Sequence, residues 1–116
     1  MPGASSHFAE VRFLDRDRVL EELRRAAGEA RARWPEIVRV LLFGSLARGN
    51  YTAESDADLI VVVRREFGGV LERARYQIHS ALIPIDTLVY AQSEFERLAG
   101  DSSSFLSQNL AGAIEL

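Results

Sequence analysis

The sequence predicts an α/β (α+β) domain, one sheet covered by helices. Short runs rich in β-branched and apolar residues stand at 37–43, 58–63 and 83–90, each bounded by turn-forming residues. Segments of helical periodicity alternate with them. The length of 116 residues and the 47% hydrophobic composition suit one core, so a single domain over 1–116 is expected.

Asp17 can cap a helix reaching about Arg33, with Val19, Leu20, Leu23, Ala26, Ala27 and Ala30 on one stripe. Glu21 with Arg25 and Glu29 with Arg33 have the i,i+4 spacing of exposed ion pairs, and Trp34-Pro35 ends the helix. The run 37–43 reads as a buried strand broken by Gly44, followed by a helical turn at 45–48 and a polar loop at 49–55. Asp58 then opens a second buried strand through three consecutive valines to Val63. Val70, Leu71, Ala74, Ile78 and Ala81 predict a helix over 66–82, and a third strand follows at 83–90. Ser93 with Glu96 makes a capping box for a helix through Leu98, stopped by Gly100. The tail from Ser102 holds a short helix and an edge strand at 113–116.

Several chemistries are excluded by composition. There is no cysteine, hence no disulfide, thiolate nucleophile or cysteine-ligated zinc. All 14 basic residues are arginine, so neither a Schiff-base lysine nor a P-loop lysine exists. A net charge of -3 argues against a general nucleic-acid binder. Residues 51–116 carry the acidic excess, which suits a cation site and equally an ordinary wet surface. No secretory leader is visible in 1–9 and no apolar run approaches a membrane span, so the cytoplasm is the expected location.

The informative stretch is Leu42-Phe43-Gly44-Ser45-Leu46-Ala47-Arg48-Gly49, then six loop residues, then Asp56-Ala57-Asp58-Leu59. Gly44 and Ser45 lie where a strand turns into a helical start, which suits phosphate, and Arg48 adds a planar cation one turn later. An ordinary glycine-assisted turn would look the same. The Gly44–Gly49 spacing is that of a Walker A loop, but Asn50 and Tyr51 occupy the places of its Lys and Ser/Thr, so that assignment fails. Asp56 and Asp58, two apart at a strand entrance, can place two carboxylates on one face, where Mg²⁺ finds the oxygen ligands it prefers. An isolated Asp-x-Asp is equally an acidic loop end facing water. Asp86 sits in an otherwise apolar strand and needs a partner there, either arginine or a metal shared with the pair.

Together these residues resemble the minimal nucleotidyltransferase family of the DNA polymerase β-like superfamily. Gly44-Ser45, ten residues, Asp56-x-Asp58 and a later strand Asp86 carry the resemblance, which extends from about Ile37 to Leu116. Leu46 departs from it, because relatives often have arginine there. The resemblance implies a mixed sheet with helices chiefly on one face. It also implies Asp56, Asp58 and Asp86 as catalytic residues holding two Mg²⁺ ions, and Asp86 as an aid to deprotonating the acceptor hydroxyl. Gly44, Ser45 and Arg48 would hold ATP. Members of this length are often antitoxins of a HEPN-domain RNase toxin, transferring AMP from ATP to it, and longer relatives carry a helical acceptor domain. A HEPN partner in a hetero-oligomer is therefore expected. The alternatives are a non-catalytic antitoxin acting by contact and an antibiotic-type nucleotidyltransferase. His7 and His79 lack a second ligand at helical spacing, and the arginines of the first helix read as a solvated face. Trp34, Phe43, Phe67 and Phe95 read as core, and for Tyr51, in the loop before Asp56, stacking on a base is the lesser alternative.

Overall fold

The computed structural model describes residues 15–52 and 54–116; the loose start with His7 lies outside them. Helix α1 (Arg16–Arg33) is opened by Asp15, whose carboxylate accepts the Arg18 N–H at 3.2 Å. The cap is thus two residues earlier than expected, and Asp17 becomes a first-turn acid facing the positive end of the helix dipole. The apolar stripe is buried as the spacing predicts. The exposed pairing differs. Arg25 forks onto Glu22 at 2.7 and 3.1 Å and reaches Glu29 at 2.7 Å, instead of pairing with Glu21. Glu22 also accepts the Ser80 hydroxyl at 2.6 Å, which fixes it toward the body of the protein.

Strands β1 (Ile37–Phe43), β2 (Ala57–Val63), β3 (Ile85–Ala91) and β4 (Ile114–Glu115) form one sheet in the order β3-β2-β1-β4. β1 runs antiparallel to β2 and to β4, while β2 and β3 are parallel, so the sheet is mixed. A register shift between Ile37 and Arg39 inverts the alternation of β1. Ile37 therefore shares a face with Val40 and Leu42, and Val38 shares the other with Leu41 and Phe43. β4 is held as an edge by the Arg39–Glu115 fork at 2.6 and 3.1 Å.

The larger core lies between α1 and the face made by Val40, Leu42, Leu59, Val61 and Val63. The opposite face, with Leu41, Phe43, Ile60 and Val62, carries a smaller core under α4 (Gln92–Ala99) and α5 (Phe105–Leu110), through Phe95 and Leu106. Helices thus pack on both faces, α1 over the larger core and α4 and α5 over the smaller, where the resemblance implies helices chiefly on one. α4 does not start at Ser93. Its capping residue is Ala91, whose N–H is accepted by Glu94, while the Ser93 hydroxyl turns to Glu66. Ser104 caps α5 by accepting the Ser107 N–H at 3.0 Å.

The predicted helix over 66–82 is largely absent. After α2 (Gly44–Arg48), only a single turn, α3 (Val70–Arg73), forms between β2 and β3. Gly68 and Gly69 break the chain ahead of it, and Val70 and Leu71 are 81% and 88% exposed. What is buried instead is Tyr76 and Ile78, a spacing of two that belongs to extended chain. Tyr76 donates to Glu36 at 2.5 Å and accepts from Arg65 at 3.3 Å. Its ring meets those of Trp34 and Phe67 edge-on, which supplies the tertiary contact that a helix would have broken. Arg73 completes the connection by donating to the Val89 carbonyl and to both oxygens of Glu94. Among the described residues no helix is long and apolar enough to cross a membrane.

The clasp of Glu22 on Arg25 and Ser80 ties α1 to the segment that delivers β3. The Arg25 guanidinium and the Ser80 hydroxyl hold the Glu22 carboxyl at about 2, against 4.5 ordinarily. A depressed folded value means stability that is present above 4.5 and lost as pH falls toward 2. Glu22→Gln should therefore lower the urea midpoint at pH 7, and the gap from wild type should close across that acid window in a pH series of unfolding curves.

Candidate active site

Because β1 is antiparallel to the other two, its C-terminal end meets the N-terminal starts of β2 and β3 at one rim of the sheet. Phe43 pairs with Asp58, and Asp58 pairs in parallel register with Asp86. Residues opposite one another in register project on the same face. The two carboxylates thus stand side by side above the sheet, on the face of the smaller core. Asp56 is exposed, just ahead of β2 and outside the ladder.

The electrostatics carry the mark of this crowding. Burial pushes the Asp58 carboxyl above its usual range, and the charges of Asp86 and then Asp56 push the same way, opposed by Arg48. Three acidic groups and one guanidinium are therefore within electrostatic reach of one another. Asp58 is half-buried and Asp86 exposed, so the approach to the pair is from solvent at the β3 edge.

Gly44 adopts φ +78°, and a Cβ built on it would lie 2.5 Å from Asp58 Oδ2. The glycine is thus required twice, by the left-handed backbone and by the carboxylate packed against it. Ser45 Oγ lies 3.4 Å from Ser55 Oγ, which in turn accepts the Thr52 N–H at 2.8 Å, so the loop before Asp56 is tied to the turn. Gly49 closes α2 in the left-handed conformation, with its N–H on the Ser45 carbonyl. Leu46 is fully buried, so its position in this chain serves packing.

A cleft of about 710 Å³ opens over the rim. Gly44, Ser45, Arg48, Asp58 and Asp86 all line it, so five of the six residues singled out by sequence share one cavity. Phe43, Gln77, Leu88, Phe105 and Asn109 also line it and were not anticipated. For the last two, the i,i+4 spacing in the tail was the available signal. Tyr51 packs half-buried against the larger core instead of standing ready for a base. His79 is exposed outside the cleft. Arg16, read as surface charge, reaches α2 and donates to the Leu46 and Ala47 carbonyls at 2.9 and 3.0 Å.

Among the described residues no three carboxylate or imidazole groups close into a finished metal cage. The pair nevertheless fits a hard divalent cation. Its donors are oxygens only, its like charges are held together by the fold, and Mg²⁺ typically takes one or two carboxylates with phosphate oxygens and water completing its shell.

A mixed sheet that brings an acidic pair and a glycine-serine turn to one rim suits phosphoryl chemistry, which depends on positioning and charge neutralisation. Comparison with known proteins makes this specific. The model of the nucleotidyltransferase domain matches residues 23–111, and the chain belongs to that family. It is similar to a protein of Methanocaldococcus jannaschii named as a putative protein adenylyltransferase, 33% identical over 61 residues. That match covers 53% of this chain and 61% of the relative's length. The crystal structure of a putative nucleotidyltransferase from Sulfolobus solfataricus superposes with a TM-score of 0.58 at 26% identity, covering 71% of this chain and 75% of the other. The chain thus carries a nucleotidyltransferase domain built on a mixed α/β sheet.

Two consequences are measurable. Gly44→Ala forces a Cβ into the Asp58 carboxylate and a left-handed φ onto alanine, which alone costs about 1–2 kcal/mol. With Asp58 displaced, transfer activity should fall about a hundredfold in a steady-state assay. Asp58→Asn should act oppositely on stability. A raised folded value means that the ionised carboxylate destabilises the fold above the usual carboxylate range, and that this cost vanishes as pH falls. In calorimetry without divalent metal, Asp58→Asn should melt higher than wild type at pH 7, with the difference shrinking in acid.

Proposed function

We propose that this enzyme is a Mg²⁺-dependent protein adenylyltransferase that moves AMP from ATP to a hydroxyl of a partner protein. The observation that carries the proposal is the in-register pairing of Asp58 with Asp86 beside Gly44. The name of the Methanocaldococcus jannaschii relative supports a protein as acceptor. We further propose that the partner is a HEPN-domain RNase toxin and that modification neutralises it, following the resemblance of the motif to antitoxins of that kind.

In this reading Gly44, Ser45 and Arg48 hold the triphosphate, with Arg48 offering planar donors to phosphate oxygens. Asp58 and Asp86, joined by Asp56, hold Mg²⁺, which supplies charge neutralisation at the phosphates. The acceptor hydroxyl enters from the open β3 side, where Asp86 takes its proton. The oxygen then bonds to the α-phosphorus, the bond from that phosphorus to the bridging oxygen breaks, and pyrophosphate leaves. The products are an AMP ester of the partner, pyrophosphate and a proton.

ATP labelled at the α-phosphate, incubated with Mg²⁺, this protein and a cognate HEPN-domain protein, should label the HEPN protein. Asp86→Asn should lower the rate by about 10²–10⁴-fold, the usual contribution of a positioned base. Undiminished labelling by an Asp58→Asn, Asp86→Asn double variant would sink the mechanism. Protection of cells by that double variant would instead mean neutralisation by contact alone.

A further inference from the structure

The cleft has two ends of different chemistry. At the β3 edge stand Asp86 and Leu88, open to solvent, with Gln77 half-buried beside them. At the other end, over β1, stand Phe43, Phe105 and Asn109, next to the Gly44 turn. Phe105 is 55% exposed although it is a large aromatic residue. Its ring meets Phe43 edge-on, with centroids 6.0 Å apart at 86°, so it is held in place with ring surface left free. Phe43 immediately precedes Gly44, which anchors this ring beside the turn assigned to the phosphates.

Asn109 lies one turn further along α5 and lines the same cleft. Its amide Nδ2 donates to the Phe105 carbonyl at 2.8 Å, which fixes the orientation of the side-chain amide. Among the described residues Oδ1 takes no hydrogen bond, so it and the second Nδ2–H remain to pair with a ligand, the combination that matches the N6–H and N7 of adenine. Just past α5, a Cβ on Gly112 would lie 3.8 Å from the Arg48 side chain, so this end of the cleft is continuous with the proposed phosphate contacts.

We propose that Phe105 and Asn109 form the nucleobase subsite, with Phe105 stacking on the base and Asn109 Oδ1 accepting from an exocyclic amine. The inference rests on the nucleotide-binding reading of this cleft and adds its base selectivity. Adenine presents N6–H₂ as a donor where guanine presents the O6 acceptor, so the subsite favours ATP over GTP. The topology separates the roles: the base lies on the β1 side with the triphosphate, and the β3 side stays free for the acceptor.

The test is calorimetric titration of the full chain with ATP, GTP and inorganic tripolyphosphate, all with Mg²⁺. Wild type should bind ATP more tightly than GTP. Phe105→Ala should weaken ATP about tenfold or more, the scale of one base–aromatic stack, with tripolyphosphate binding unchanged. Phe105→Trp should retain ATP binding, and Asn109→Leu should bring ATP and GTP to within about twofold of each other. Retained tripolyphosphate binding reports an intact fold in each variant. If Phe105→Ala binds ATP as wild type does, the subsite is wrong while the nucleotide reading stands. If wild type binds neither ATP nor tripolyphosphate, both fall together.

Discussion

Two carboxylates held in register on neighbouring parallel strands are the constraint around which the rest of the structure is arranged. Asp58 and Asp86 repel each other, and the fold overrules that repulsion by backbone pairing on both sides of β2. Every position of β2 except Asp58 is buried, which leaves the strand little freedom to slip and separate the acids. A one-residue slip of β3 would send Asp86 to the α1 face, against the larger core and away from Asp58. Register is thus both the structural and the chemical variable at this site. The stored repulsion is what a divalent cation would relieve, and the same arrangement costs stability without one.

The phosphate side depends on a different constraint, close backbone approach. Gly44 must be glycine because Asp58 fills the space a side chain would occupy. Its neighbour α2 is too short to hold its own shape, since helices of this length are unstable alone. It is held by the burial of Leu46 and Ala47, by the left-handed closure at Gly49 and by the reach of Arg16 from α1. Arg16 places its positive charge at the carbonyl end of α2, where the dipole favours it. The longest helix of the fold thereby steadies the shortest functional one.

How far the sequence discloses this follows from which signals are local. The strand at 37–43 and the apolar stripe of α1 were readable because burial imposes the sheet and helix periods directly. The Gly44-Ser45 and Asp56-x-Asp58 spacings were readable because one chain segment carries them. That Asp86 would stand in register with Asp58 was only an inference from an acid out of place in an apolar strand. The helix expected over 66–82 failed for an equally physical reason. Val70, Leu71, Ala74 and Ile78 mimic helical spacing, while Tyr76 and Ile78 obey a period of two, and the long-range bond of Tyr76 to Glu36 decides between them. Caps shifted by two residues at Asp15 and Ala91 because Asp, Ser and Glu are plentiful there, and only the folded geometry chooses among them.

The division of the cleft follows from the same topology. β1 runs against its neighbour, so the turn leaving it faces the starts of β2 and β3 across a single rim. An all-parallel sheet would gather only strand ends of one polarity, and the glycine turn after β1 would then lie at the opposite rim from two strand-opening acids. The mixed order β3-β2-β1-β4 is therefore what lets a three-strand site have an anion-binding side and an acidic side in contact. It also sets which side is open. β3 is an edge strand with Asp86 and Leu88 exposed, whereas β1 is flanked by β4 and roofed by α5. Under the proposed reading, the roofed side suits a small nucleotide and the open β3 edge suits a bulky acceptor.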